Sequence, residues 1–267
     1  MKLHSDIRYA DHHLVDVYEP SSLAKGAILL LHGGWLNGDK SDLSAVGEML
    51  VERGYTAFAP NFRLPPHALF SESRGDVLLA LAWMAGSSFE FDRTRIATWG
   101  FSAGGTLATE VALSESVPAV SWSGMIDLQT FMRETTLLAD KDYDFDLAGQ
   151  TRDVVEHGGR NDALLRNLVL QLVSNNASWL ASSTPLSRVS KTSGPMMMIN
   201  AVSELVPADG AMAMQRALTE AGVASTLTIL PGSSHGQANL IAAFDDALHF
   251  VEQQFLLRSS GSSKAAA

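Results

Sequence analysis

The 267 residues contain no cysteine. Disulfides, thiolate-bound zinc, iron–sulfur clusters and a cysteine nucleophile are therefore excluded. Charge is also scarce. Asp, Glu, Lys and Arg make up 18% of the chain, below the roughly 25% usual for soluble proteins. Basic clusters are missing, and the formal net charge is −10. A nucleic-acid partner would need that charge reversed, so none is expected; the acidity reads as a solubility feature. No uninterrupted apolar run approaches the roughly 18 residues of a spanning helix, so no membrane partner is expected either. Met1 to Asp6 carries no apolar leader, and the expected location is soluble and cytoplasmic.

Apolar residues are plentiful, at 46%, enough to bury one large core. The length falls close to that of single α/β domains, about 200–250 residues. Short β-branched runs alternate with longer amphipathic ones. Strands are expected at His13–Tyr18 (an edge strand), Ala27–Leu31, Tyr55–Ala59, Thr94–Trp99, Val117–Trp122, Pro195–Asn200 and Ala224–Leu230. Helices are expected near Asp42–Arg53, Ser71–Met84, Ser102–Leu113, Gly210–Ala221 and Ala238–Leu256. Gly54 stands where a left-handed C-terminal cap belongs. Alternating strand and helix implies a mostly parallel sheet covered on both faces. From about 128 to 184 the pattern loosens, with helices expected only near Phe131–Leu138 and Ala163–Val173. That stretch reads as a small cap inserted into one domain spanning 1–258. Residues 259–267, small and polar, read as a disordered tail or an added linker. In such sheets ligands gather at the carboxyl ends of strands.

Three motifs fall at those ends. The run Gly100-Phe101-Ser102-Ala103-Gly104 lies between an expected strand and an expected helix, the setting a nucleophile elbow requires. The sharp turn demands small neighbours two residues either side of Ser102, and both are glycine. A helix starting at the serine points amides and its positive dipole end at a developing oxyanion. His32-Gly33-Gly34-Trp35 follows the buried strand Ala27–Leu31. A loop of this kind supplies a second oxyanion amide beside that of Ala103. The second His-Gly-Gly, at His157–Gly159, is not on a strand end and reads as a turn. Finally, His235 lies on the loop after the last expected strand. A serine hydroxyl needs a base, and histidine titrates near neutral pH; His249, within the terminal helix, reads as a packing or surface residue.

The acid that would orient His235 is expected after Pro195–Asn200, where Glu204 is the first carboxylate. Asp127, after the preceding strand, is a rival, as is Asp209, which an N-cap role would also explain. Alternating Asp140, Asp142, Asp144 and Asp146 have calcium-loop spacing but lack the central glycine and closing glutamate, so they read as a solvated acidic segment. No metal or cofactor is implied. Phe131, Met132, Leu137, Leu138, Tyr143, Phe145 and Trp179 either shape an apolar pocket or pack the cap onto the sheet.

Leu14 to Pro20, His32-Gly33-Gly34, Gly100 to Gly104, Ser183-Thr184-Pro185-Leu186, Glu204 to Pro207 and His235-Gly236 occur in the order seen in small carboxylesterases of the α/β-hydrolase superfamily. The chain resembles the HGGxW esterases, which include hormone-sensitive-lipase-like, feruloyl-esterase-like and kynurenine-formamidase-like enzymes, over about Asp11 to Phe255. The resemblance implies an α/β-hydrolase fold and a serine hydrolase acting on a small-molecule ester or amide. It carries Ser102 over as nucleophile, His235 as base, Glu204 as acid, and the amides of Gly33, Gly34, Trp35 and Ala103 as the oxyanion hole. Here Trp35 follows Gly34 without the family's intervening residue, and Ser203 stands where the family has Asp, with Glu204 beside it. Carboxylic-ester cleavage through an acyl-enzyme is the leading expectation. An amidase or arylformamidase on the same triad is the alternative, and a non-catalytic binding protein on this scaffold is a third reading.

Overall fold

The computed structural model describes all residues except 35–37, 65–66, 137–151 and 266–267. One eight-stranded sheet forms its centre. Its strands are β1 (Lys2–Ala10), β2 (His13–Glu19), β3 (Ala27–Leu31), β4 (Thr56–Pro60), β5 (Ile96–Phe101), β6 (Ala119–Trp122), β7 (Met196–Ala201) and β8 (Ser225–Leu230). They lie in the order β1-β2-β4-β3-β5-β6-β7-β8. β1 pairs with β2, and β2 with β4, antiparallel; every later pairing is parallel. This is the mostly parallel sheet expected from the alternation, in the α/β-hydrolase arrangement that the resemblance implied.

Parallel strands need crossovers, and helices supply them, with one further helix after β8. They are α1 (Ser44–Glu52), α2 (Phe70–Gly86), α3 (Ala103–Glu115), α4 (Leu128–Glu134), α5 (Arg152–His157), α6 (Asp162–Leu172), α7 (Leu180–Ser183), α8 (Asp209–Glu220) and α9 (Leu240–Ala265). Every residue of β3 is buried, yet its side chains alternate between two cores. Ala27, Leu29 and Leu31 join Phe58 and α3's Leu107 and Val111 on one face. Ile28 and Leu30 join Trp99, Trp122 and α9's Phe244 and Val251 on the other. A strand covered on both faces therefore reads as an unbroken apolar run, the reason AILLL was legible.

Two expectations change. His13–Tyr18 is not the edge: β1 lies outside it. β1 escaped the sequence reading because its outer position leaves mostly exposed residues, and its register shifts twice, between His4 and Ile7 and between Arg8 and Ala10. No clean alternation survives. α9 also continues beyond 258 to Ala265, into the segment read as a tail; Ala, Lys and Ser tolerate helix well enough for the chain to propagate it. Gly54 does take the left-handed conformation, at φ +87°.

α3 runs beneath the sheet with every residue from Ala103 to Leu113 buried, Glu110 included. Burial pushes the Glu110 carboxyl above the usual range, although Arg74 and Arg188 flank it. Arg74 Nε donates to Glu110 Oε2 at 2.9 Å, and Arg188 Nη2 donates to Oε1. The group thus links α2 to the segment following the insertion. Glu110→Ala is expected to cost about 2 kcal/mol in urea unfolding, because it removes charge-assisted hydrogen bonds from two part-buried guanidinium groups.

Candidate active site

The backbone at the end of β5 comes first. Ser102 has φ +52° and ψ −116°, a conformation costing a non-glycine residue about 1–3 kcal/mol. Its amide donates to the Trp122 carbonyl at 2.7 Å, and its own carbonyl accepts from Thr106 N–H at 3.0 Å. The turn holds only with glycines around it. A methyl on Gly100 would stand 2.0 Å from the Gly104 carbonyl oxygen, and one on Gly104 would stand 2.1 Å from that of Leu31. Ala103, the first residue of α3, places its amide at the helix N-terminus, where N–H groups lack intrahelical acceptors.

His235 sits on the loop after β8 and is 2% exposed; Glu204 is 1% exposed. His235 Nε2 lies 2.8 Å from Ser102 Oγ, and Nδ1 lies 2.6 Å from Glu204 Oε2. With Glu204 ionised, Nδ1 carries the proton and donates to it, which leaves Nε2 to accept from the serine hydroxyl. The second Glu204 oxygen, Oε1, accepts the Ala201 amide at 2.7 Å. The longer glutamate side chain thus folds back over the end of β7, and both its oxygens are engaged. Ser203, at the family's usual acid position, is exposed and gives its amide to the Gly232 carbonyl at 3.0 Å.

The rival carboxylates lie elsewhere. Asp127 caps α4, accepting from Thr130 N–H at 3.1 Å. Asp209 is the first residue of α8, not its cap, and is exposed. Both line a separate cavity of about 240 Å³, together with Phe131, Glu134, Arg160 and Asp162. Of the apolar cap residues, Phe131 and Met132 pack into the core, one of the two roles left open by the sequence, while Trp179 is 41% exposed. Leu137, Leu138, Tyr143, Phe145 and the four alternating aspartates lie outside the described residues. So does Trp35.

On the loop after β3, His32 is fully buried, stacks on Phe62 with ring centroids 4.2 Å apart, and lies with Nδ1 2.9 Å from the Gly33 carbonyl oxygen. Burial holds its imidazole below the usual pKa, so it is neutral and Nδ1–H donates. In a trans peptide the Gly34 N–H then points away from His32. Gly34 adopts φ +78°. A methyl on Gly33 would lie 3.3 Å from Ser102 Cβ, so this loop runs directly beside the serine.

Ser102 and His235 open into a cavity of about 250 Å³, lined also by Gly33, Gly34, Val155 and Glu156. Val155 and Glu156 belong to α5, which the sequence did not disclose. At six residues it is too short to show periodicity. The second His-Gly-Gly does form the expected turn: it ends α5, with Gly159 at φ +74°. Among the described residues no His, Asp and Glu group is placed to hold a metal ion, and no helix is long and apolar enough to cross a membrane.

Residues 15–218 match the family described as BD-FAE. The chain belongs to that family. It is a family of α/β-hydrolase esterases, and this member is a carboxylesterase-type hydrolase. The match spans Ser102 and Glu204 and stops before His235. An ethyl acetate hydrolase from Pseudomonas putida is 27% identical over 257 residues, covering 89% of this chain and 76% of that protein. Solved structures share the fold. A truncated carbohydrate esterase from gut microbiota superposes with a TM-score of 0.76 at 17% identity, over 96% of this chain and 97% of its own. Esterase B from Lactobacillus rhamnosis superposes with a TM-score of 0.75 at 14% identity, over 98% and 88%.

Substitution separates the three carboxylates. Glu204→Gln is expected to lower kcat by about 10⁴-fold, as when a triad acid loses its charge. Asp127→Asn and Asp209→Asn should stay within about threefold of wild type. Steady-state kinetics on one chromogenic ester decides the matter.

Proposed function

We propose that this esterase cleaves carboxylic esters of small or medium-sized substrates through an acyl-enzyme on Ser102. The observation that carries the reading is the continuous chain of contacts from Glu204 Oε2 through His235 to Ser102 Oγ, at 2.6 and 2.8 Å, at the mouth of a cavity. Ser102 Oγ attacks the acyl carbon while its proton passes to His235 Nε2. Glu204 stabilises the imidazolium so formed and holds its ring in place. The carbonyl electron pair moves onto oxygen. The Ala103 amide at the start of α3 and the amides of the Gly33–Gly34 loop beside Ser102 take up that charge. Collapse of the tetrahedral adduct breaks the bond to the alcohol oxygen, which takes the proton from His235. Water then gives a proton to His235 and attacks the acyl carbon, and Ser102 departs as its hydroxyl is restored. Each step uses protein groups and water alone.

The cavity supports a restricted substrate. Its 250 Å³ lies slightly below the range of about 300–1,000 Å³ for drug-sized ligands, which fits short acyl and alcohol groups. Asp42 and Glu156 line it, and no Lys or Arg is among its described lining residues. A carboxylate on the substrate would meet like charge.

Ser102→Ala is expected to abolish ester hydrolysis. A fluorophosphonate probe should label wild type once per chain and leave this variant unlabelled, and acid-quenched turnover should show the acyl mass on the Ser102 peptide. Undiminished activity in Ser102→Ala would refute the reading. Separately, an ester bearing a carboxylate on its acyl chain should show kcat/KM about tenfold below that of its neutral isostere. Raising salt should narrow the gap.

A further inference from the structure

Ser123 directly follows β6, is fully buried, and has φ +55°. That conformation suits glycine, and a serine there costs about 1 kcal/mol. What serine adds over glycine is one hydroxymethyl group. Its oxygen accepts the N–H of Gly236 at 2.9 Å, and Gly236 is the residue after His235. The residue before Ser123 is Trp122, whose carbonyl accepts the Ser102 N–H at 2.7 Å. Two consecutive residues therefore hold the backbone of the serine and the backbone beside the histidine.

The surrounding turn is itself fixed. Ser121 Oγ donates to the Gly105 carbonyl at 2.9 Å, and Met125 N–H donates to Thr106 Oγ1 at 2.9 Å. Ser123 N–H donates to the Ile199 carbonyl of β7 at 2.8 Å. The Ser123 hydroxyl is thus placed by β7 and α3 before it meets the histidine loop. On the opposite side that loop is tied to the insertion, where His235 N–H donates to the Glu156 carbonyl of α5 at 2.8 Å.

We propose that Ser123 is a positioning residue for His235. It conveys the spacing of the rigid sheet to the loop and so sets the gap between Nε2 and Ser102 Oγ. The inference rests on the Ser102–His235–Glu204 reading above. It explains why a strained serine occupies a position that glycine would fill without strain.

Ser123→Gly and Ser123→Ala, beside Ser102→Ala, test it with p-nitrophenyl butyrate. Both Ser123 variants should lose about tenfold or more in kcat with little change in KM, since misplacing reacting groups by about 1 Å can cost 10²-fold. The acid limb of their kcat/KM profiles should shift. Ser123→Gly should melt above Ser123→Ala, because both lose the hydrogen bond but only glycine relieves the positive φ. Ser123→Ala keeps the strain without the hydrogen bond and should melt lower. A Ser123→Gly enzyme within about twofold of wild-type kcat, or one whose loss merely tracks its unfolding, overturns the inference. If Ser102→Ala is inactive while Ser123→Gly is fully active, the inference alone falls. If Ser102→Ala is active, the catalytic reading falls with it.

Discussion

The close approach of two strand ends governs this molecule. Where β5 turns into α3, the backbone at Gly104 presses against the Leu31 and His32 carbonyls at the end of β3, leaving 2.1 and 2.6 Å for any methyl. This contact explains the glycine at 104, and the fold of the elbow back on itself, with the Gly104 carbonyl oxygen 2.0 Å from any methyl on Gly100, explains the glycine at 100. The contact with β3 also explains why the loop carrying Gly33 and Gly34 runs beside the serine. β3 and β5 are neighbours, paired from Ala27 with Ile96 to Leu31 with Gly100, so the sheet register brings the two loops level. Because interiors are close-packed, such a contact admits little adjustment. The strain at Ser102 is held by the layers of Trp99, Phe101 and Trp122 on one face and by α3 on the other.

The carboxylate–imidazole pair follows a different logic. Glu204 and His235 are almost wholly buried, and an ionised carboxylate survives there only with its lone pairs satisfied. The Ala201 amide and His235 provide that. Glutamate suits the site because its extra methylene lets one oxygen return to the end of β7 while the other reaches the ring. Elsewhere the chain spends its few charges in similar groupings: Lys40 bridges Asp6 and Asp16 at 2.8 Å each, and Glu110 joins Arg74 and Arg188.

The cavity mouth has two kinds of wall. The elbow, the His32 loop and the histidine loop stand on the sheet. α5 belongs to the insertion and touches the site through Val155, Glu156 and the backbone bond to His235. The sheet positions Ser102, and the histidine loop is held from both sides, by the Ser123 hydroxyl and by the Glu156 carbonyl.

By itself the sequence determined the alternating architecture, the elbow at Ser102, the His32–Gly34 loop and the placement of His235. Each is local: a continuous apolar run, glycines at fixed offsets, a histidine in the loop after the last strand. It left three carboxylates competing, because a side chain's partner across 31 residues depends on strand order and loop course, not on spacing. It also missed β1, whose bulges erase alternation, and α5, too short for periodicity. Only the tertiary structure brought Glu204 to His235, sent Asp127 and Asp209 to another cavity, and set Ser123 against Gly236. Those contacts join β6, β7 and β8, whose adjacency is fixed by the packing of the whole sheet and its helices.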